Sequence, residues 1–164
     1  MRRREFITLL SGAAAAWPLA ARAQQSERVR RIGALMSVAA DHPEAPARVG
    51  AFSQGLAELG WTIGRNARID IRWGTADPER IRKYAAELVA LAPDVFLTVG
   101  SATTGPLLQA TRAVPIVFVQ VAEPVGAGFV ETLARPGGNI TGFTNFESEM
   151  GNKWPPARWT GTVQ

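Results

Sequence analysis

Residues 94–120 read DVFLTVGSATTGPLLQATRAVPIVFVQ, and this stretch decides the fold. Its two apolar runs, Val95–Val99 and Ile116–Val119, lack the alternation of a half-buried strand and fit parallel strands covered on both faces. Between them a small, polar loop, Gly100-Ser101-Ala102-Thr103-Thr104, leads to Pro106, which predicts a helix of roughly eight residues starting there. Strand, helix, strand in this order gives a right-handed crossover between parallel neighbours.

Working outward, Arg31–Met36 is a further continuous apolar strand. Asp41-His42-Pro43 supplies a helix start, and Val49, Phe52, Leu56 and Leu59 recur at helical spacing up to Gly60, predicting a helix with one face on the sheet. From Ala67 to Trp73, Ile69, Ile71 and Trp73 alternate with Arg68, Asp70 and Arg72, which places this strand at an edge. Asp77-Pro78 opens a second helix with Ile81, Tyr84, Leu88 and Leu91 as its buried stripe, closed by Ala92-Pro93-Asp94. A short helix near Val130 and the turn Pro136-Gly137-Gly138-Asn139 lead to a last strand, Ile140–Phe143. Strict alternation predicts an α/β, doubly wound parallel sheet of order 2-1-3-4-5, a single flavodoxin-like lobe.

The first 23 residues read differently. A basic start, Arg2-Arg3-Arg4, precedes an apolar stretch from Ile7 to about Ala20 and then Ala21-Arg22-Ala23, the layout of a cleaved export signal. The stretch is short for a bilayer span, and Gly12 and Pro18 weaken it further as one. Arg3-Arg4-Glu5-Phe6-Ile7 resembles the twin-arginine address, and the same pair also serves as the positive start of a general export signal. The expected organisation is a signal over 1–23, a linker over 24–30, a lobe over 31–146 and an aberrant tail over 147–164.

Composition narrows the function. The 46% hydrophobic and 20% charged content is that of a folded globular chain. Removing Arg2, Arg3, Arg4, Arg22 and Glu5 from 18 basic and 14 acidic residues leaves 14 against 13, too small an excess for binding nucleic acid. No cysteine is present, which excludes disulfides, thiolate metal sites, a Cys nucleophile and a lipid-modified N-terminal Cys. Gly-x-Ser-x-Gly, the phosphate loop and Gly-x-Gly-x-x-Gly are missing, and Gly126-Ala127-Gly128 ends at Glu131 where a third glycine belongs. His42 reads as a surface or capping residue, Glu147 and Glu149 do not share a helix face, and Trp61 and Trp73 read as packing residues. No enzyme, metal or cofactor is indicated.

In an open sheet of this order, ligands bind outside the carboxyl ends of the strands, at the switch between strands one and three. That rule selects Ser37 after strand one, Ser101, Thr103 and Thr104 after strand three, and Gln120 and Glu123 after strand four. The hydroxyls and nearby amides suit a carboxylate, or else cap the helix, and Glu123 suits an ammonium, or else is a solvated loop carboxylate.

Arg31-Ile-Gly-Ala-Leu35, the run FSQGLAELGW over 52–61, Ala92-Pro-Asp-Val95, Val114-Pro-Ile-Val117 and the run ARPGGNITGF over 134–143 together resemble the ABC-transporter substrate-binding proteins of the tryptophan/tyrosine-binding-like group. The resemblance spans nearly all of Met1 to Trp154. It implies one lobe of a type I periplasmic binding fold, a small solute such as an amino acid, an inner-membrane ABC permease as partner and a periplasmic location. Ser37, Ser101, Thr103 and Glu123 carry over as ligand positions; relatives often have Asp-Pro where this chain has Glu123-Pro124. They also continue beyond Gly151–Trp154 with a helix and a second lobe, whereas this chain reads Pro155-Pro156 and stops at Gln164, which implies a frameshifted or shortened tail. Half a clamshell implies weak solute affinity and self-association through an uncovered apolar face. The alternatives are a small exported flavodoxin-like enzyme, which would show cofactor colour or turnover, and a non-functional remnant, for which a frame change near Lys153 in the coding DNA would restore a second lobe.

Overall fold

The computed structural model describes residues 28–144. The expected signal peptide, including Arg3, Arg4, Phe6, Ala21 and Ala23, and the expected tail lie outside them, as do residues 24–27 of the linker and 145–146 of the lobe. Five strands and three helices alternate: β1 (Arg30–Met36), α1 (Ala45–Glu58), β2 (Ala67–Trp73), α2 (Pro78–Ala90), β3 (Val95–Val99), α3 (Ser101–Ala110), β4 (Ile116–Val119) and β5 (Ile140–Phe143). They form one all-parallel sheet of order β2-β1-β3-β4-β5, the order expected from the sequence, with β2 at an edge.

The sheet's two faces are unlike. On one, Leu35, Phe96, Thr98, Ile116, Phe118 and Ile140 are buried, and α2 and α3 complete the core with Ile81, Leu88 and Leu107. Helix α2 forms because Asp77 accepts hydrogen bonds from the Glu79 and Arg80 amides at 3.0 and 3.2 Å while Pro78 fixes the first turn. On the other face, register aligns Ala34, Ile71, Leu97, Val117 and Thr141, and several of these side chains remain half-buried or exposed.

Helix α1 lies against that second face but does not close on it. The expected stripe is not buried: Ala45 is the buried residue of the helix, Val49, Phe52 and Leu56 are half-buried, and Leu59 is 77% exposed. A cavity of about 340 Å³ separates Val49 and Phe52 from Ile71, Leu97 and Val119. Of the small residues of α1, Ala51 lines the gap, while Ala47 and Gly50 are exposed. The helix also starts later than the expected Asp41-His42-Pro43 cap: Glu44 is the N-cap without a side-chain bond, and Pro46 takes the first-turn role. His42 Nδ1 instead accepts the Glu44 amide at 3.3 Å in the preceding turn.

Two further expectations are corrected. Helix α3 begins at Ser101, five residues before Pro106, because the Thr103 and Thr104 hydroxyls donate to carbonyls one turn back and secure the first turn. No helix forms near Val130. After Pro124 one turn closes with Gly128 at φ +70°, the Gly128 amide donating to Val125 O at 3.0 Å and the Phe129 amide to Pro124 O at 2.9 Å, a glycine-terminated stop.

At the amino ends of the strands, Asp94 ties β3 to β1. Its Oδ2 accepts the Arg31 amide at 2.9 Å, and its Oδ1 lies 2.9 Å from Arg30 Nη1 and 3.1 Å from Arg28 Nη2. The Arg31 amide first, then the neighbouring guanidiniums, hold the Asp94 carboxyl below its ordinary range despite partial burial. A carboxylate with a lowered folded pKa stabilises above its unfolded pKa of about 3.9, and that stabilisation disappears as pH falls through the folded value. Asp94→Asn is therefore expected to cost about 1–2 kcal/mol near neutral pH and to flatten the loss of stability below about pH 4, read by urea unfolding across pH.

Candidate functional site

Because every strand is parallel, Met36, Trp73, Val99, Val119 and Phe143 all end at one rim. The β1 and β3 exits adjoin there. Gly100, at φ +83°, donates its amide to Val119 O at 2.9 Å, and a Cβ on it would lie 3.4 Å from Ser37 Oγ. A side chain at position 100 would be strained in backbone and crowded against Ser37. Glycine thus keeps the two loops in contact.

Gly100 is also the N-cap of α3 and supplies no capping side chain, so the amides of Ser101, Ala102 and Thr103 open onto the rim without a side-chain acceptor. Ser101 is exposed beside them. Thr103 and Thr104 are not at the rim surface. Both are fully buried: the Thr103 hydroxyl donates to Val99 O at 2.7 Å and accepts from Thr98 Oγ1 at 2.7 Å, and that of Thr104 donates to Gly100 O at 2.8 Å. Their hydroxyls hold the β3–α3 corner and are not offered to a ligand.

The loop after β4 presents the other two expected residues. Gln120 and Glu123 both sit at positive φ, +56° and +50°, and both are exposed, while buried Val121 and Pro124 pin the chain between and after them. Left-handed backbone at two non-glycine residues costs energy that surrounding packing must sustain, a feature concentrated at functional loops. Arg48 of α1 joins this loop by donating to Gln120 Oε1 at 3.0 Å, and it also pairs with Glu44 at 2.5 Å. The guanidinium beside Glu44 holds that carboxyl below its ordinary range. Arg48 was not selected from the sequence, where it is an ordinary basic residue on a helix; only folding sets it beside Gln120. Trp61 lies far from this rim, beside Arg30 and Asp94 at the amino ends of the strands. Among the described residues no group of three His, Cys, Asp or Glu side chains has metal-site geometry, and no helix is long and apolar enough to cross a membrane.

A single parallel sheet of order 2-1-3-4-5 with helices on both sides is the architecture of a periplasmic-binding-protein lobe. A profile described as ABC transporter substrate binding protein matches residues 34–152. The chain belongs to the ABC transporter substrate-binding protein family. It is 28% identical over 123 residues to the tyrosine-binding protein of Clostridioides difficile, covering 75% of this chain and 35% of that one. Among solved structures, a conserved domain protein from Vibrio cholerae matches with TM-score 0.67 and 30% identity over 73% of this chain and 40% of its own. An ABC domain in complex with L-Trp from Streptococcus pneumoniae matches with TM-score 0.64 and 28% identity over 71% and 38%. The chain thus spans little more than a third of the length of these relatives.

Proposed function

We propose that this chain is the N-terminal lobe of an exported solute-binding component of an ABC uptake system, and that its solute is a hydrophobic or aromatic amino acid. The observation that carries the reading is the rim itself. Ser37, Ser101 and the uncapped α3 amides suit a carboxylate, while Gln120 and Glu123, held out on a strained loop, suit the ammonium. The names of two relatives, a tyrosine-binding protein and a complex with L-Trp, support the solute class. The basic, apolar and small-residue order of residues 1–23 supports export to the periplasm by the twin-arginine or general route, where an inner-membrane permease is the receiving partner.

The described lobe by itself supplies part of the contacts of a closing clamshell, so its own affinity is weak. Calorimetric titration with L-tryptophan and L-tyrosine is expected to give dissociation constants no tighter than about 100 µM. Sub-micromolar binding by the monomer contradicts that. Glu123→Gln is expected to weaken L-tryptophan binding about 5–10-fold and to leave indole-3-propionate, which has no ammonium, unchanged. Equal loss for both ligands removes Glu123 from the ammonium role.

A further inference from the structure

Among the described residues, seven large apolar side chains are exposed, and four of them, Val29, Leu59, Trp61 and Ile63, share one end of the molecule. Helix α1 returns the chain from the rim to the amino ends of the strands, so the loop 59–66 lies beside the starts of β1 and β2. The Arg30 amide donates to Asn66 O at 2.9 Å, and Ile63 bridges to Ala67. This loop is firmly built. Asn66 Oδ1 accepts the Thr62 amide at 2.7 Å, Asn66 Nδ2 donates to Gly60 O at 3.0 Å, and the Gly64 amide donates to Ala67 O at 2.8 Å. Gly60 and Gly64, at φ +85° and +87°, supply the left-handed turns that this path needs. The hydrogen bonds thus hold Leu59, Trp61 and Ile63 in solvent, where apolar surface is costly.

Charge separates this end from the other. The lead-in residues 28–29 and the amino-end loops 59–66, 91–94 and 111–115 carry Arg28, Arg65 and Arg112 against Asp94. The rim loops 37–44, 74–77 and 120–124 carry Asp41, Glu44, Asp77 and Glu123 and no Lys or Arg. Next to the apolar patch, Arg28, Arg65 and Arg68 are exposed, whereas the side chains of Asp70 and Asp94 are only 13% and 19% exposed and already face arginines. Glu58, at the end of α1, is the exposed carboxylate beside them. The patch therefore offers apolar tips within a cationic frame, a surface complementary to one that is apolar beneath and anionic above.

We propose that this end of the lobe docks on an anionic phospholipid surface, with Leu59, Trp61 and Ile63 entering the interface and Arg28, Arg65 and Arg68 meeting lipid phosphates. An indole is at home in the headgroup region, aliphatic tips reach the acyl boundary, and each arginine near an anionic leaflet adds attraction. The four apolar side chains expose on the order of 300–400 Å², about half of the roughly 800 Å² per partner in a stable complex of folded chains, and shallow insertion needs no larger area. Docking there holds the lobe at a membrane with its acidic rim open to solvent. The proposal rests on exposure and charge at the amino end and is independent of which solute the rim takes.

The chain has no cysteine, so a single-cysteine variant carries one dye at one place. Ile63→Cys puts an environment-sensitive nitrobenzoxadiazole dye in the patch, and Ala76→Cys, exposed in the loop after β2, puts it at the opposite end. With vesicles of phosphatidylglycerol and phosphatidylcholine, the full chain should give about 3-fold brighter, blue-shifted emission from position 63 and less than about 1.3-fold change from position 76. Leu59→Ser and, separately, Arg65→Gln should each raise the lipid concentration that half-saturates the signal at 63 by about 3–10-fold, and vesicles of phosphatidylcholine alone should raise it by about 10-fold or more. Both side chains are exposed, so neither substitution opens the core. No rise at 63, an equal rise at 76, or an equal response to neutral vesicles overturns the proposal. A signal at 63 that neither substitution alters also overturns it, and assigns the lipid contact to another segment of the chain. A signal that grows with chain concentration in the absence of lipid, alongside dimers in sedimentation, overturns it in favour of a second copy.

Discussion

Phe118→Ala is expected to lower the unfolding free energy by about 3–5 kcal/mol, the range for removing a fully buried ring and leaving a cavity. The ring is 1% exposed on β4, in the core that Ile81, Leu88, Phe96 and Leu107 build between the sheet and helices α2 and α3. A domain of this size is stabilised by about 5–15 kcal/mol in all, so the loss is a large share. The neighbouring Val117→Ala removes a side chain from the half-open face and should cost no more than about 1 kcal/mol. Urea unfolding of both variants checks the contrast. Equal losses at 117 and 118 would mean that the two sheet faces are equally buried, contrary to the structure.

Gly142→Ala is expected to cost about 1–3 kcal/mol or more, through crowding and not through backbone conformation. Gly142 is paired with Phe118 across the β4–β5 ladder. A Cβ placed on it would lie 2.1 Å from Phe118 O and 2.6 Å from the ring. The backbone oxygen cannot rotate away, so β5 has to move off the sheet. The double variant Phe118→Ala with Gly142→Ala should be less destabilised than the sum of the singles, because the deleted ring vacates part of the space. Additivity within about 0.5 kcal/mol would show that the two positions do not compete for it.

Much of the architecture was legible because it rests on local signals. The five apolar or alternating strand segments, Asp77-Pro78 at the start of α2 and the charges of β2 each determine an element or its place without reference to distant residues. The misreadings arise where one sign in the sequence is outweighed by hydrogen bonds, backbone conformation or packing that it does not report. Pro106 reads as a helix start, but two buried threonines extend α3 back to Ser101. The apolar run around Val130 reads as helical, but Gly128 in the left-handed region ends the turn first. The stripe Val49, Phe52, Leu56 and Leu59 reads as buried, because periodicity shows which face is apolar and not whether that face closes against the sheet.

At the candidate site, sheet order selects the rim and therefore the loops of Ser37, Ser101, Gln120 and Glu123. Burial is what separates Ser101 from Thr103 and Thr104, three hydroxyls within one turn, and nothing in a five-residue polar loop distinguishes them beforehand. Arg48 was equally hidden, since its pairing with Gln120 spans 72 positions in the chain.

Under the proposed function, this lobe meets a hydrophobic or aromatic amino acid at the carboxyl rim of its sheet. Backbone amide chemical shifts of the isotope-labelled chain, followed during titration with L-tryptophan, test it at the weak affinity proposed for the lobe by itself. Saturable changes clustered at Ser37, Gly100, Ser101, Gln120 and Glu123 are the predicted result. Changes confined to the cavity beneath α1 or to the amino ends around Asp94 and Trp61, or none at all up to the solubility of the amino acid, would contradict it.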